Sequence, residues 1–92
     1  QIGHAGRKVA TRAPWDGFAP LGEADAANGR PPWSGLAPSP VPFREGATLP
    51  KEMDADDIRA VIALHVEAAK RTLDAGFDVL EVHAAHGYII QQ

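Results

Sequence analysis

The stretch that most constrains this chain runs from residue 54 to residue 83, where a helical pattern stops at a glycine and a short β-rich run follows. Asp54 is the N-cap candidate, and Asp56 and Asp57 fall in the first turn, where carboxylates favour the helix dipole. Ile58, Val61, Ile62, His65, Ala69, Thr72 and Leu73 recur at three- and four-residue spacing and mark one packed face. Arg59, Glu67, Lys70, Arg71 and Asp74 fall mostly elsewhere, and Gly76 supplies a left-handed stop. The spacing predicts a helix over 54–75, roughly 30 Å long, and a strand over 77–83. A helix, a glycine stop and an apolar strand make the second half of a βαβ crossover, whose first strand ends within residues 1–7. Such units are right-handed and build parallel sheets, so the fold class is α/β. One helix cannot cover both faces of a parallel pair, and the chain is therefore read as an internal fragment, with most of its sheet outside these residues.

Strand alternation then sorts the side chains. Gln1 and Gly3 face one side, and Ile2 and His4 the other. In the second strand Val79, Glu81 and His83 share a face, while Leu80 and Val82 face the helix layer. A carboxylate on the inner face needs a cation or several donors, and Arg7 is the expected partner of Glu81. His65 is expected to be a packed or rim residue rather than a ligand.

Residues 8–50 hold all 8 prolines of the chain, which argues against regular helix there. A loop of this length inside a compact domain is usually functional. Residues 8–53 are thus expected to form an excursion over the mouth of the site, pinned by Trp15, Phe18, Trp33 and Phe43. Four large aromatics speak against a disordered linker.

Composition excludes more than it selects. A net charge of -3 suggests neither nucleic acid nor an acidic membrane surface as a partner. The absence of Cys removes disulfides and thiolate metal sites. No apolar run approaches the roughly 20 residues a bilayer span requires. A cytoplasmic location is the default expectation.

The polar cluster at the end of the second strand carries the chemistry. His83, His86 and Tyr88 follow a buried apolar run, at the strand end where α/β proteins place their sites. Three readings stay open on the residues alone. His83 and His86 could share a metal with His4, although no carboxylate stands at helical spacing from them. The imidazoles could merely satisfy backbone carbonyls. Alternatively, two ring N–H groups could converge on one substrate oxygen while a phenol, protonated at neutral pH, acts as general acid.

Two segments bear on that choice. Gln1-Ile-Gly-His-Ala-Gly-Arg7 and Glu81-Val-His-Ala-Ala-His-Gly-Tyr88 closely resemble the FMN-dependent Old Yellow Enzyme family, especially its bacterial branch of xenobiotic reductases. Arg12-Ala-Pro-Trp-Asp-Gly17, Ala37-Pro-Ser39 through Pro42-Phe43, Pro50 and Glu52-Met53 look like the same branch. Residue 91 departs from the pattern, being Gln where many members carry His.

The resemblance implies a (β/α)8 TIM barrel of which residues 1–92 are a partial FMN-binding domain. Residues 1–7 would be the end of strand 3 and its turn, 8–53 the excursion, 54–75 helix 3, 77–83 strand 4 and 84–92 the start of the catalytic loop. It also implies FMN as cofactor with NADPH or NADH as reductant, a small-molecule substrate, no metal, and a parent whose homo-oligomerisation is open. By resemblance Gln1 bonds the flavin, His83 and His86 bind the substrate oxygen, and Tyr88 is the catalytic acid. The implied reaction is ping-pong reduction of an activated alkene, an α,β-unsaturated carbonyl or nitro compound. The alternatives are a barrel oxidoreductase that adds an iron–sulfur cluster to FMN, such as dienoyl-CoA reductase, and an inert truncated piece. The isolated chain itself is expected to be inactive.

Overall fold

The computed structural model describes all 92 residues and shows a small mixed α/β arrangement. One long helix, here α2, spans Ala55–Asp74. Asp54 caps it by accepting hydrogen bonds from the backbone N–H groups of Asp56 and Asp57, both at 2.8 Å. Asp57 returns the favour, accepting from the Asp54 N–H at 3.1 Å, which completes a capping box. At the other end Gly76, at φ 82°, lets Phe77 donate to Thr72 and Gly76 donate to Leu73, the paired bonds of a Schellman stop.

The helix turns Val61, His65, Ala68, Ala69 and Thr72 inward, all half-buried. Ile2 and His4 meet this face across a cavity of about 100 Å³. Ile58, Ile62 and Leu73, expected on the same face, are 46%, 58% and 66% exposed. A stripe this wide needs a second covering layer, and the chain supplies only the segment at residues 2–4.

The two strand segments meet in one parallel bridge, Ile2 to Val82. Ile2 donates to the Glu81 carbonyl at 2.9 Å, and His83 donates to the Ile2 carbonyl at 2.8 Å. The expected strand over 77–83 is corrected here. Only Val82 bridges, opposite Ile2, and Phe77 to Leu80 make no bridge. The topology is β-α-β all the same, with α2 crossing between parallel segments.

The excursion departs from expectation too. It contains a short helix α1 (Glu23–Ala27) and two strands, β1 (Leu36–Ala37) and β2 (Lys51–Glu52), paired in parallel. Arg12 and Ala19, and Leu21 and Ala10, close a small antiparallel hairpin through backbone bonds of 2.8 Å. Ala10, Leu21 and Ala37 are buried, and Asp25 is buried beneath Arg12. Arg12 reaches Asp25 with three contacts of 2.9–3.2 Å, while the Gly22 N–H adds one at 3.0 Å. These contacts pin the excursion. Trp15 and Trp33 do not, being 85% and 55% exposed. No helix is long and apolar enough to cross a membrane.

Candidate active site

Register decides which groups meet. Because Ile2 sits between Glu81 and His83 in the bridge, Gln1 lies opposite Glu81, and Gly3 opposite His83. The Gln1 Nε2 donates to Glu81 Oε1 at 2.9 Å. A Cβ added to Gly3 would lie 3.1 Å from the Cβ of His83, so glycine is what lets the His83 side chain pack this closely against the first strand. The Glu81 partner is therefore Gln1 and not Arg7, whose Nη2 donates to Ser39 at 3.3 Å. Arg7 leaves the strand in a turn that carries it away from the Glu81 face.

His83 and His86 come together above this edge. His83 Nε2 and His86 Nδ1 lie 3.3 Å apart, with ring centroids at 5.1 Å and planes at 53°. One ring donates to the other, and an acceptor oxygen brought to that point would draw both N–H groups. Tyr88 meets His83 edge-on, at 4.8 Å between centroids and 90° between planes. The three groups expected from the sequence are thus contiguous, on the same side of the strand pair as the Gln1 amide.

His4 is not among them. Its Nδ1 accepts from the Gly6 N–H at 3.0 Å, and its ring lies in the cavity below the helix with His65. Burial first, and then the neighbouring His65, hold the His4 imidazole below its ordinary pKa. His65 bonds the Val61 carbonyl through Nδ1 at 2.8 Å, leaving its buried Nε2 without a partner. No three His, Cys, Asp or Glu side chains are grouped to hold a metal ion.

The excursion completes the site. A cleft of about 390 Å³ is lined by His86 and Tyr88 on one side and by Lys8, Thr11, Phe18, Phe43 and Arg44 on the other. Arg44 stacks on Phe43 at 4.5 Å from the ring centroid. Phe18 and Phe43, expected as anchors, are instead cleft walls. Lys8, Glu81 and Gln92 went unrecognised as supports of the site. Only Glu81 carried a signal, its placement on the same strand face as His83.

The Gln1 amide keeps the donor and the acceptor that the rim of a flavin ring would require. Glu81 occupies one N–H of its amide, while the remaining N–H and the oxygen bond nothing on the chain and Gln1 is exposed. An exposed amide with one donor and one acceptor to spare fits one rim of a ring carrying both.

Comparison with known proteins places these features. Residues 13–92 match the family model described as the NADH:flavin oxidoreductase / NADH oxidase family. The chain is 38% identical over 92 residues to the NADPH dehydrogenases of Listeria monocytogenes serotype 4a (strain HCC23) and Listeria innocua serovar 6a (strain ATCC BAA-680 / CLIP 11262). Both alignments cover 100% of this chain and 21% of the relative. It is 47% identical over 57 residues to the NADPH dehydrogenase of Geobacillus thermodenitrificans (strain NG80-2), covering 62% of this chain and 17% of that protein. The chain thus spans about a fifth of the length of the curated relatives it matches. With the family model covering all but the first twelve residues, the chain belongs to the NADH:flavin oxidoreductase / NADH oxidase family.

Proposed function

We propose that this chain is the part of a (β/α)8 barrel running from the end of strand 3 through helix 3 to the start of the catalytic loop after strand 4. In this reading the whole protein is an FMN-dependent ene-reductase. It takes electrons from NADPH or NADH and reduces α,β-unsaturated carbonyl or nitro compounds. The observation that carries the reading is the convergence of His83 Nε2 and His86 Nδ1 to 3.3 Å, with Tyr88 edge-on to His83.

Gln1 would hold one edge of the flavin through the amide groups that Glu81 leaves free. FMN, when bound, supplies the two-electron chemistry, with hydride taken from the nicotinamide and passed to the alkene. The rest falls to the chain's own groups. His83 and His86 donate to the carbonyl or nitro oxygen, drawing charge onto it and leaving the β-carbon electron-poor. Tyr88 delivers a proton from its hydroxyl to the α-carbon. Phe18 and Phe43, in the cleft wall facing His86 and Tyr88, exclude water from the reacting atoms.

The test uses the full-length protein loaded with FMN. Tyr88→Phe should slow alkene reduction about 10²-fold or more, the usual worth of a placed general acid. Flavin reduction by NADPH should stay within a factor of about two of the parent. His83→Ala and His86→Ala should each raise the KM for an enone. Unchanged enone turnover in Tyr88→Phe would remove the acid assignment.

A further inference from the structure

His86 is held in a conformation it would not choose, and the groups that hold it lie outside the reacting cluster. His86 and Gly87 are consecutive left-handed residues, at φ 56° and 66°. A residue other than glycine persists there only when its surroundings over-determine it. Here three of the four backbone polar groups of the pair are tied. The His86 carbonyl accepts from Lys8 Nζ at 2.6 Å. The Gly87 carbonyl accepts from Gln92 Nε2 at 2.6 Å, and the Gly87 N–H donates to Gln91 Oε1 at 2.6 Å.

The Gln92 amide does more than close its own loop. Its oxygen accepts from the Arg7 N–H at 3.2 Å, and its nitrogen also donates to the Ala5 carbonyl at 3.3 Å. One side chain therefore joins the turn after the first strand to the loop after the second. Gly6 makes the fit possible, since a Cβ there would stand 2.2 Å from Gln92 Oε1. Lys8, from the same turn, clamps the neighbouring carbonyl. The left-handed pair is thus gripped at both of its carbonyls by side chains anchored in, or fastened to, the Ala5–Lys8 turn.

We infer that Lys8 and Gln92 are positioning residues that set the angle of His86 to His83, and hence the affinity of the site for a carbonyl oxygen. This rests on the reading of His83 and His86 as the oxygen-binding pair. Both act through backbone carbonyls of the loop. Gln92 reaches neither imidazole nor the phenol, so its influence on a ligand is indirect.

The experiment uses full-length holoenzyme carrying Lys8→Met, Gln92→Met or His86→Ala, titrated with an unreactive aromatic aldehyde. Binding is followed through the visible absorbance of the flavin, with flavin content per chain and the rate of flavin reduction by NADPH measured alongside. Lys8→Met and Gln92→Met should each weaken aldehyde binding at least tenfold while flavin content stays at the parent level. Lys8→Arg, which keeps a cationic donor, should recover most of the loss. Should Gln92→Met fail to fold, Gln92→Glu takes its place, since it keeps the acceptor for the Arg7 N–H and removes the donor to the Gly87 carbonyl, whereas Lys8 itself lines the cleft. Aldehyde binding within twofold of the parent in both Met variants overturns the inference. If His86→Ala has lost binding in the same series, the oxygen-binding reading stands alone. If His86→Ala binds as well as the parent, that reading fails as well.

Discussion

Gly35 is where the excursion and the site-bearing turn touch, and substituting it tests whether that contact is as tight as the geometry says. A Cβ at residue 35 would lie 2.5 Å from the Gly6 carbonyl oxygen and 2.7 Å from Val9 Cγ2. Val9 can rotate, but the Gly6 carbonyl cannot, because Gly6 is fixed at φ 63° beneath the Gln92 amide. Carbon and oxygen not bonded to each other settle at about 3.3 Å, so β1 and the turn would have to part by roughly 0.8 Å. Overpacking of this kind costs about 1–3 kcal/mol. Gly22 is the matched control. Its surroundings are open and its φ is -135°, which a serine adopts freely. It also caps α1, where serine is favoured. Thermal and urea unfolding of full-length holoenzyme should therefore show Gly35→Ser losing that amount and Gly22→Ser losing nothing. Because the turn also carries Lys8, Gly35→Ser should weaken aldehyde binding in step with its loss of stability. Equal stability in the two variants would refute the claim that the excursion is wedged against the turn.

The other predictions concern pH and independence. Asp25 is held below its ordinary 3.8, chiefly by the Arg12 hydrogen bond and then by the Gly22 N–H. Its contribution is complete above that value and is lost as pH falls through the lower folded value, so Asp25→Asn should flatten the acid limb of an unfolding-midpoint profile. His4, lowered from 6.5 by burial and by His65, also favours folding only while neutral. Stability should thus fall as pH drops below 6.5, and His4→Asn, which keeps an acceptor for the Gly6 N–H, should remove that slope. The 92-residue chain purified alone should be colourless and inactive, since Phe77 and Val79 stand 64% and 83% exposed where a neighbouring strand should cover them. Yellow, flavin-loaded material would contradict this.

Local chemistry was legible in the sequence wherever the residues that decide it are neighbours. Asp54 with Asp56 and Asp57, and Gly76 after Leu73, specify both ends of α2 through contacts within five residues. Alternation placed Glu81 and His83 on one strand face, and the Gln1–Glu81 bond and the Gly3–His83 contact are found on that face. What stayed hidden depends on long-range packing. The strand pattern of 77–83 is intrinsic, but a ladder needs a partner backbone, which only Ile2 supplies. The aromatics of the excursion looked like anchors because large apolar side chains usually are. The anchor is instead an ion pair, Arg12 with Asp25, thirteen residues apart, which no local pattern marks. Gln92 and Lys8 are similarly silent, because a glutamine and a lysine become supports only once residues 5–8 and 86–92 lie side by side.

The same hydrogen bonds explain why the imidazoles stand clear of the sheet. The Ile2 carbonyl accepts from His83, and the next carbonyl on that side of the strand belongs to His4. In an uninterrupted parallel ladder Ala85, two residues past His83, would donate to it. Ile89 donates instead, at 3.0 Å, so four more residues are accommodated between successive rungs. The only way to fit them is to arch away from the neighbouring strand, and the left-handed His86 and Gly87 form the crown of that arch. His83 stays on the last regular rung while His86 and Tyr88 are lifted above it, which lets a ring from the strand and a ring from the arch approach one point from different directions. A loop that simply followed the strand would have splayed them apart. On this view the site is an insertion into the ladder, and its precision depends on the two rungs that bracket it, at Ile2 and His4.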